Sequence, residues 1–202
     1  MVPQPLAFAL GALSWTAAEY ALHRFVGHGP KLRVPEGLAA RLSPQGLLAG
    51  FNAEHLAHHA NPQYFAPTAH KLAAAGVVIT GLYALGRPLT SPATARAFAL
   101  GFGVFFGGYE LLHRRIHTHP PQTAYGRWRR QHHLQHHHRS PRDNHGVTHN
   151  LFDVLGGTAV ALGRVKVPRR QAPGWMLTPD GELKPEYSAA YELVGTRPEA
   201  QG

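Results

Sequence analysis

The sequence contains no cysteine, which excludes disulfides, thiolate metal sites and iron–sulfur clusters and leaves nitrogen and oxygen to hold any metal. Acidic residues are scarce. Eleven Asp and Glu stand against 20 Lys and Arg, for a formal net charge of +9, a surplus that suits anionic partners such as phospholipid headgroups. The N-terminal MVPQPLAFALGALSW lacks a basic region, and its apolar run leads straight into a histidine motif, so no separate cleavable signal is expected. No dinucleotide fingerprint is present: ALGFGVFFGG follows no strand pattern and its third glycine is misplaced. No repeat of solenoid period is visible. A chain of 202 residues is long enough for one domain with its own core, and no second domain is required.

Long apolar runs are also missing; three short ones are present, at about 5–18, 72–86 and 97–112. A 15-residue helix reaches only about 22 Å against a hydrocarbon core of roughly 30 Å, so each would span only with its flanks or enter partway. Membrane-embedded helices are the expectation, with buried helices of a soluble bundle as the alternative. Ala99, Gly103 and Gly107 repeat every four residues, the small-residue spacing that lets helices approach closely in lipid. The breaker GRPLTSP at 86–92 turns the second and third runs into a helical hairpin, which returns the flanking histidines to one membrane face. Lys and Arg are absent before His23 and dense around the later histidines, which predicts that this face is cytoplasmic. From Pro168 onward the chain fills with Pro, Gly and charge and predicts a surface-draped or disordered tail. The expected organisation is therefore a membrane domain at 1–167 and a polar C-terminal tail at 168–202.

Against these absences stand 16 histidines. The densest run, HHLQHHH at 132–138, could by itself be an adventitious metal-binding tract. Four spaced boxes argue otherwise: HRFVGH (His23, His28), HLAHH (His55, His58, His59), HRRIH (His113, His117) and HLQHH (His133, His136, His137). On a helix, positions i, i+3 and i+4 share a face, so the histidines of each later box point together. A three-histidine box of this spacing is expected by chance only about 0.1 times in such a chain, and two occur. His23 and His28 are five residues apart, roughly 140° on a regular helix, so that pair works only where the helix ends, an ending supplied by Gly27, Gly29 and Pro30. A basic nucleic-acid patch at RWRRQHHLQHHHR would leave the first two boxes unexplained, and no nucleic-acid partner is expected.

Ten imidazoles exceed one coordination sphere and predict two metal ions, each with an open or water-filled position. Imidazole suits zinc, iron, copper and nickel alike. Glu19 and Glu110 occupy otherwise apolar ground close to boxes and are candidates for orienting ligating imidazoles through their second ring N–H; Glu54 is equally an ordinary surface charge. His132 and His138 fall about 100° to either side of the HLQHH face, which predicts surface or outer positions for them. His70, His119, His132 and His145 are expected not to ligate, with His145 the nearest to an exception.

The stretches EYALHRFVGHG, EHLAHHANPQ, ELLHRRIH and RRQHHLQHHHRSPRDNHGVTHNLFDVLGGT resemble, in order and spacing, the fatty acid hydroxylase/sterol desaturase superfamily of membrane di-iron oxidases. HGVTHNLFD is similar to the Gly-Val-Thr-x-x-x-aromatic-Asp segment that follows the family's last box. The resemblance covers about residues 19–157. It implies an all-α, small integral membrane bundle with a cytoplasmic di-metal site in which all ten box histidines hold two irons, although zinc could occupy a purified sample. With Glu19 and Glu110, Asp153 and His145 are the candidates for supporting the ligands, and the resemblance further implies that O2 is used to hydroxylate or desaturate an aliphatic C–H bond of a lipid. A fatty acyl chain is the first substrate expected, a carotenoid or sterol-like ring the second. The chain departs from the family at His138, where an aromatic residue is common, and at His149, where a small hydroxyl residue is common. With no cysteine and no dinucleotide fingerprint, electrons must come from a separate donor such as a ferredoxin or cytochrome, for which the basic face is a plausible dock. The alternative of another class is a histidine-rich membrane protein that handles metal without chemistry.

Overall fold

Helix α1 (Gln4–Ala21) begins with Pro5 in its first turn, where the missing proline N–H costs nothing. It runs without a break into a π-helical turn, Leu22–Gly27. Then follow α2 (Leu38–Arg41), α3 (Pro44–Ala60), α4 (Thr68–Gly86), α5 (Pro92–Thr118), α6 (Ala124–His138) and α7 (Leu151–Leu155), and two strands, β1 (Val165–Pro168) and β2 (Tyr191–Val194). The structure, a computed structural model, describes residues 2–196. The fold is mostly helical, as the pattern predicts, and the strands add a small parallel pair in register Val165 to Tyr191. The chain divides into two units, Met1–Ala57 with Phe65–Leu111 and His58–Tyr64 with Leu112–Gly202.

In the first unit α1 and α5 cross at glycines. A Cβ on Gly11 would sit 2.0 Å from the Phe98 carbonyl oxygen, and one on Gly101 would sit 2.0 Å from that of Phe8, so both positions require glycine for backbones to touch. Trp15 fills the crossing edge-on against Phe102 and Phe106. Helices α4 and α5 form the predicted hairpin, with Gly86 against Ala95 near the turn and Gly103 against Ile79 farther along. The small-residue repeat is used only in part. Ala99 is buried and Gly103 meets Ile79, but Gly107 has nothing within 4 Å; Gly101, outside the repeat, makes the closest approach. Helix α4 buries none of its residues. By length and composition α4 alone among the described residues could cross a membrane, with a mean hydropathy of 1.3.

In the second unit α6 is capped by Thr123, whose hydroxyl accepts from the Gly126 N–H. Its Leu134 enters a core with Val165, Val167, Ala172, Trp175, Met176 and Tyr191. This corrects the expectation of a draped or disordered segment from Pro168: through residue 196 it makes 3-10 turns and a strand, and Met176 is fully buried. Its apolar residues are spaced irregularly among Pro and Gly, so their burial has no sequence period. Residues 197–202 lie outside the described residues.

Candidate metal centre

The π-helical turn solves the five-residue spacing of His23 and His28. A π-turn closes i→i+5 hydrogen bonds, and the His28 N–H donates to the His23 carbonyl at 3.2 Å. The two rings consequently stack, 5.3 Å apart and 26° from parallel, where a regular helix would have splayed them. His55 of α3 joins this pair: its Nε2 lies 3.0 Å from Nε2 of His28 and its ring 4.6 Å from that of His23. The ring sits over Gly27, where an added Cβ would come within 2.7 Å of its Cδ2. Gly27 therefore admits the His55 ring as well as ending the helix.

The second unit holds a set of five. His58, His113, His117, His133 and His137 offer nitrogen atoms that all lie within 4.8 Å of one another. Nε2 of His117 is 3.2 Å from that of His58 and 2.9 Å from that of His133, and His137 Nε2 is 3.0 Å from His133 Nε2. Here regular helices suffice: α5 brings His113 and His117 one turn apart and α6 does the same for His133 and His137. Desolvation by burial, reinforced by the neighbouring imidazoles, holds His117, His133 and His137 well below the usual histidine range. Neutral rings with convergent lone pairs are the donor set a cation requires. His59 and His136, also in this unit, meet at 3.2 Å through Nε2.

In His58 and His136 the tautomer is fixed by backbone. His58 Nδ1 lies 2.8 Å from the Tyr64 carbonyl oxygen and His136 Nδ1 2.7 Å from that of Asp143. A carbonyl only accepts, so each Nδ1 carries the proton and each Nε2 presents its lone pair. Carboxylates are predicted for this task, and for these two rings carbonyl oxygens perform it. The Glu110 carboxylate pairs with the Lys71 ammonium. Glu19 is buried one turn before His23. Glu54 is half-buried, and desolvation raises its carboxyl above the usual range. Asp153, fully buried, accepts from the N–H groups of His145 and Gly146 and from the Thr158 hydroxyl. It thus ties down the HGVTHNLFD loop, whose preceding Asp143 carbonyl orients His136. The His145 ring lies against the Arg142 carbonyl, 5.3 Å from the ring of His136.

Two predicted positions are corrected. His132 is 2% exposed rather than a surface group, and burial, with Arg129 and His145 nearby, pushes it down to about 3. It is neutral, so its 4.0 Å approach to Asp153 is not an ion pair. His138 is half-buried, and desolvation lowers it to about 4. Helix geometry places both rings off the box face, as predicted, but the packing covers that side too. His70 and His119 are exposed and belong to neither set. His149, half-buried, accepts the Leu151 N–H through Nδ1.

The fatty acid hydroxylase family profile matches residues 8–158, three quarters of the chain and every box. The chain belongs to that family. Among curated relatives, two dihydroceramide fatty acyl 2-hydroxylases of Arabidopsis thaliana are 32% and 28% identical, over 76% and 80% of this chain and 60% and 62% of their own lengths. A fatty acid 2-hydroxylase of Rattus norvegicus is 25% identical over 76% of this chain and 39% of its own. The chain thus spans less than two thirds of the relatives it matches. A solved structure of full-length Scs7p, in which only the hydroxylase domain is visible, aligns with TM-score 0.59 and 26% identity over 78% of this chain and 56% of that one. The histidine sets fit metal ions, as the family resemblance implies.

Proposed function

We propose that this protein is an O2-dependent di-iron hydroxylase of a membrane lipid, acting on a fatty acyl chain and using all ten box histidines as ligands of two ions. The observation that carries the reading is the convergence of five imidazoles, four of them buried and His137 half-buried, from α3, α5 and α6 onto one point. The names of the relatives favour an acyl chain over a carotenoid or sterol-like ring, and favour hydroxylation over desaturation. Iron at these ligands would supply redox capacity that zinc lacks. The overall reaction converts C–H, O2, two electrons and two protons into C–OH and water, with the electrons delivered by a separate ferredoxin or cytochrome.

The chain's own residues have three tasks. The histidines hold the ions. The Tyr64 and Asp143 carbonyl oxygens keep the Nδ1 protons of His58 and His136 and so aim Nε2 inward. Burial keeps competing water from the imidazole nitrogens. A membrane location is supported by α4, entirely unburied and apolar enough to span, and by exposed Leu6, Leu10 and Leu13 on α1 and Val104 and Phe105 on α5. The dense Lys and Arg around the later boxes favour a cytoplasmic site. A metal handler needs exchangeable ligands, whereas these rings are buried and held by hydrogen bonds.

The test compares lipids from cells with and without the protein. A gain of one oxygen atom on an acyl species, dependent on His133, supports the reading. Loss of two hydrogens would redirect it to desaturation, and no lipid change with a metal-loaded protein would favour the handler.

A further inference from the structure

We infer that Asn52 is a positioning residue that locks the π-helical turn so that His23 and His28 face His55, an inference that rests on the proposed metal-binding role of those histidines. In a continued α-helix the Val26 carbonyl would accept from residue 30, which is Pro30 and has no N–H. The Gly29 N–H reaches that carbonyl oxygen at 3.2 Å, and the Asn52 side chain adds a shorter bond from α3. Its Nδ2 donates to the Val26 carbonyl oxygen at 2.7 Å and approaches that of Gly27 at 3.4 Å, while its Oδ1 accepts from the Leu32 N–H at 2.9 Å. One amide thereby holds the chain on both sides of His28.

The placement is specific. Asn52 is fully buried and sits one helical turn before His55 on α3, so the two share a face. Asn52 grips the carbonyls of Val26 and Gly27 while the His55 ring rests on the Cα of Gly27. Without the amide, the Val26 carbonyl would keep only the longer Gly29 N–H bond and the π-turn would compete with ordinary α geometry, which swings His28 away from His23. A polar residue that merely filled space would not need donor and acceptor ends matched in this way.

Asn52→Asp is the informative variant because it keeps shape and the Oδ1 acceptor while replacing the donor by an anion against carbonyl oxygens. The full chain, purified in detergent, is titrated with cobalt(II), and bound metal, d–d absorption and helical circular dichroism are recorded. The expected result is wild-type protein with two ions and Asn52→Asp with one class of cobalt weakened by about 10–100-fold, helicity unchanged. If Asn52→Asp cannot be purified, Asn52→Ser and Asn52→Ala are compared. Ser, which keeps a small donor, should retain more cobalt. Two tight ions in Asn52→Asp, equal binding in Ser and Ala, or loss of both ions together with helicity would each overturn the positioning role. Wild-type protein that takes no cobalt would overturn the metal reading as well, whereas intact wild-type binding confines a failure to Asn52.

Discussion

The two units build their histidine sets by different means but mend the same defect. In the first, His23 and His28 come together only because the helix widens to a π-turn, and Asn52 adds a side-chain donor to the Val26 carbonyl, which Pro30 cannot serve and the Gly29 N–H reaches at 3.2 Å. In the second, His113, His117, His133 and His137 stand at regular one-turn spacings, and the defect lies at the end of α5. There Pro120 denies the Ile116 carbonyl its helical N–H, and the Trp175 indole donates to it instead at 3.0 Å. Arg130 adds bonds to the carbonyls of Arg115 and His119. At both of these histidine-bearing helix ends a proline withholds an N–H from a carbonyl and a side chain remote in sequence bonds it, because a buried carbonyl left unpaired is costly.

The comparison predicts that the second unit fails most completely when its centre is removed. His133 Nε2 touches those of both His117 and His137, so His133→Ala should cut lipid oxidation by at least about 100-fold and lower bound metal, the scale expected for a lost ligand. Product formation and elemental analysis would check it; wild-type activity would end the metal assignment. Gly27→Ala should strike the other set alone. Its Cβ would press on His55, which must move, and a loss of activity of about ten-fold or more, with unchanged secondary structure, is expected. A variant with full activity and metal would mean that His55 has room to spare.

Trp175→Phe sharpens the parallel between the two repairs. It keeps most of the buried ring but strands the Ile116 carbonyl, so a destabilisation of about 1–3 kcal/mol is expected, with metal retained at saturating concentration. Denaturation followed by tryptophan-independent circular dichroism measures it. No shift would show that the end of α5 does not depend on the C-terminal segment. The smallest effect is expected at His138, half-buried and outside both sets. His138→Ala should keep activity within about two-fold, consistent with loss of a peripheral group, and a null phenotype would bring it into the site.

Much of the second set is legible in the sequence because helical periodicity is a local property. The spacing HRRIH and HLQHH implies shared faces whatever the partner. The i,i+5 spacing of His23 and His28 holds the signal of a π-turn, but the same letters also suit a helix that simply stops, and the choice depends on Asn52 and His55 arriving from α3. The sequence leaves His132 between a surface and an outer position for a related reason: helix angle says which way a ring points, not whether Asp153 and its loop cover it.

What the sequence by itself determined was the all-helical character of the boxed region, the restriction to nitrogen and oxygen donors that follows from lacking cysteine, and the boxes themselves, all of which are composition or short-range geometry. Only the tertiary structure decided that Gly101 rather than Gly107 makes the close helix crossing, that Trp175 and Met176 anchor an ordered C-terminal segment, and that carbonyl oxygens of Tyr64 and Asp143 set the tautomers. These depend on contacts between residues far apart in the chain, whose pairing leaves no period in the sequence to read.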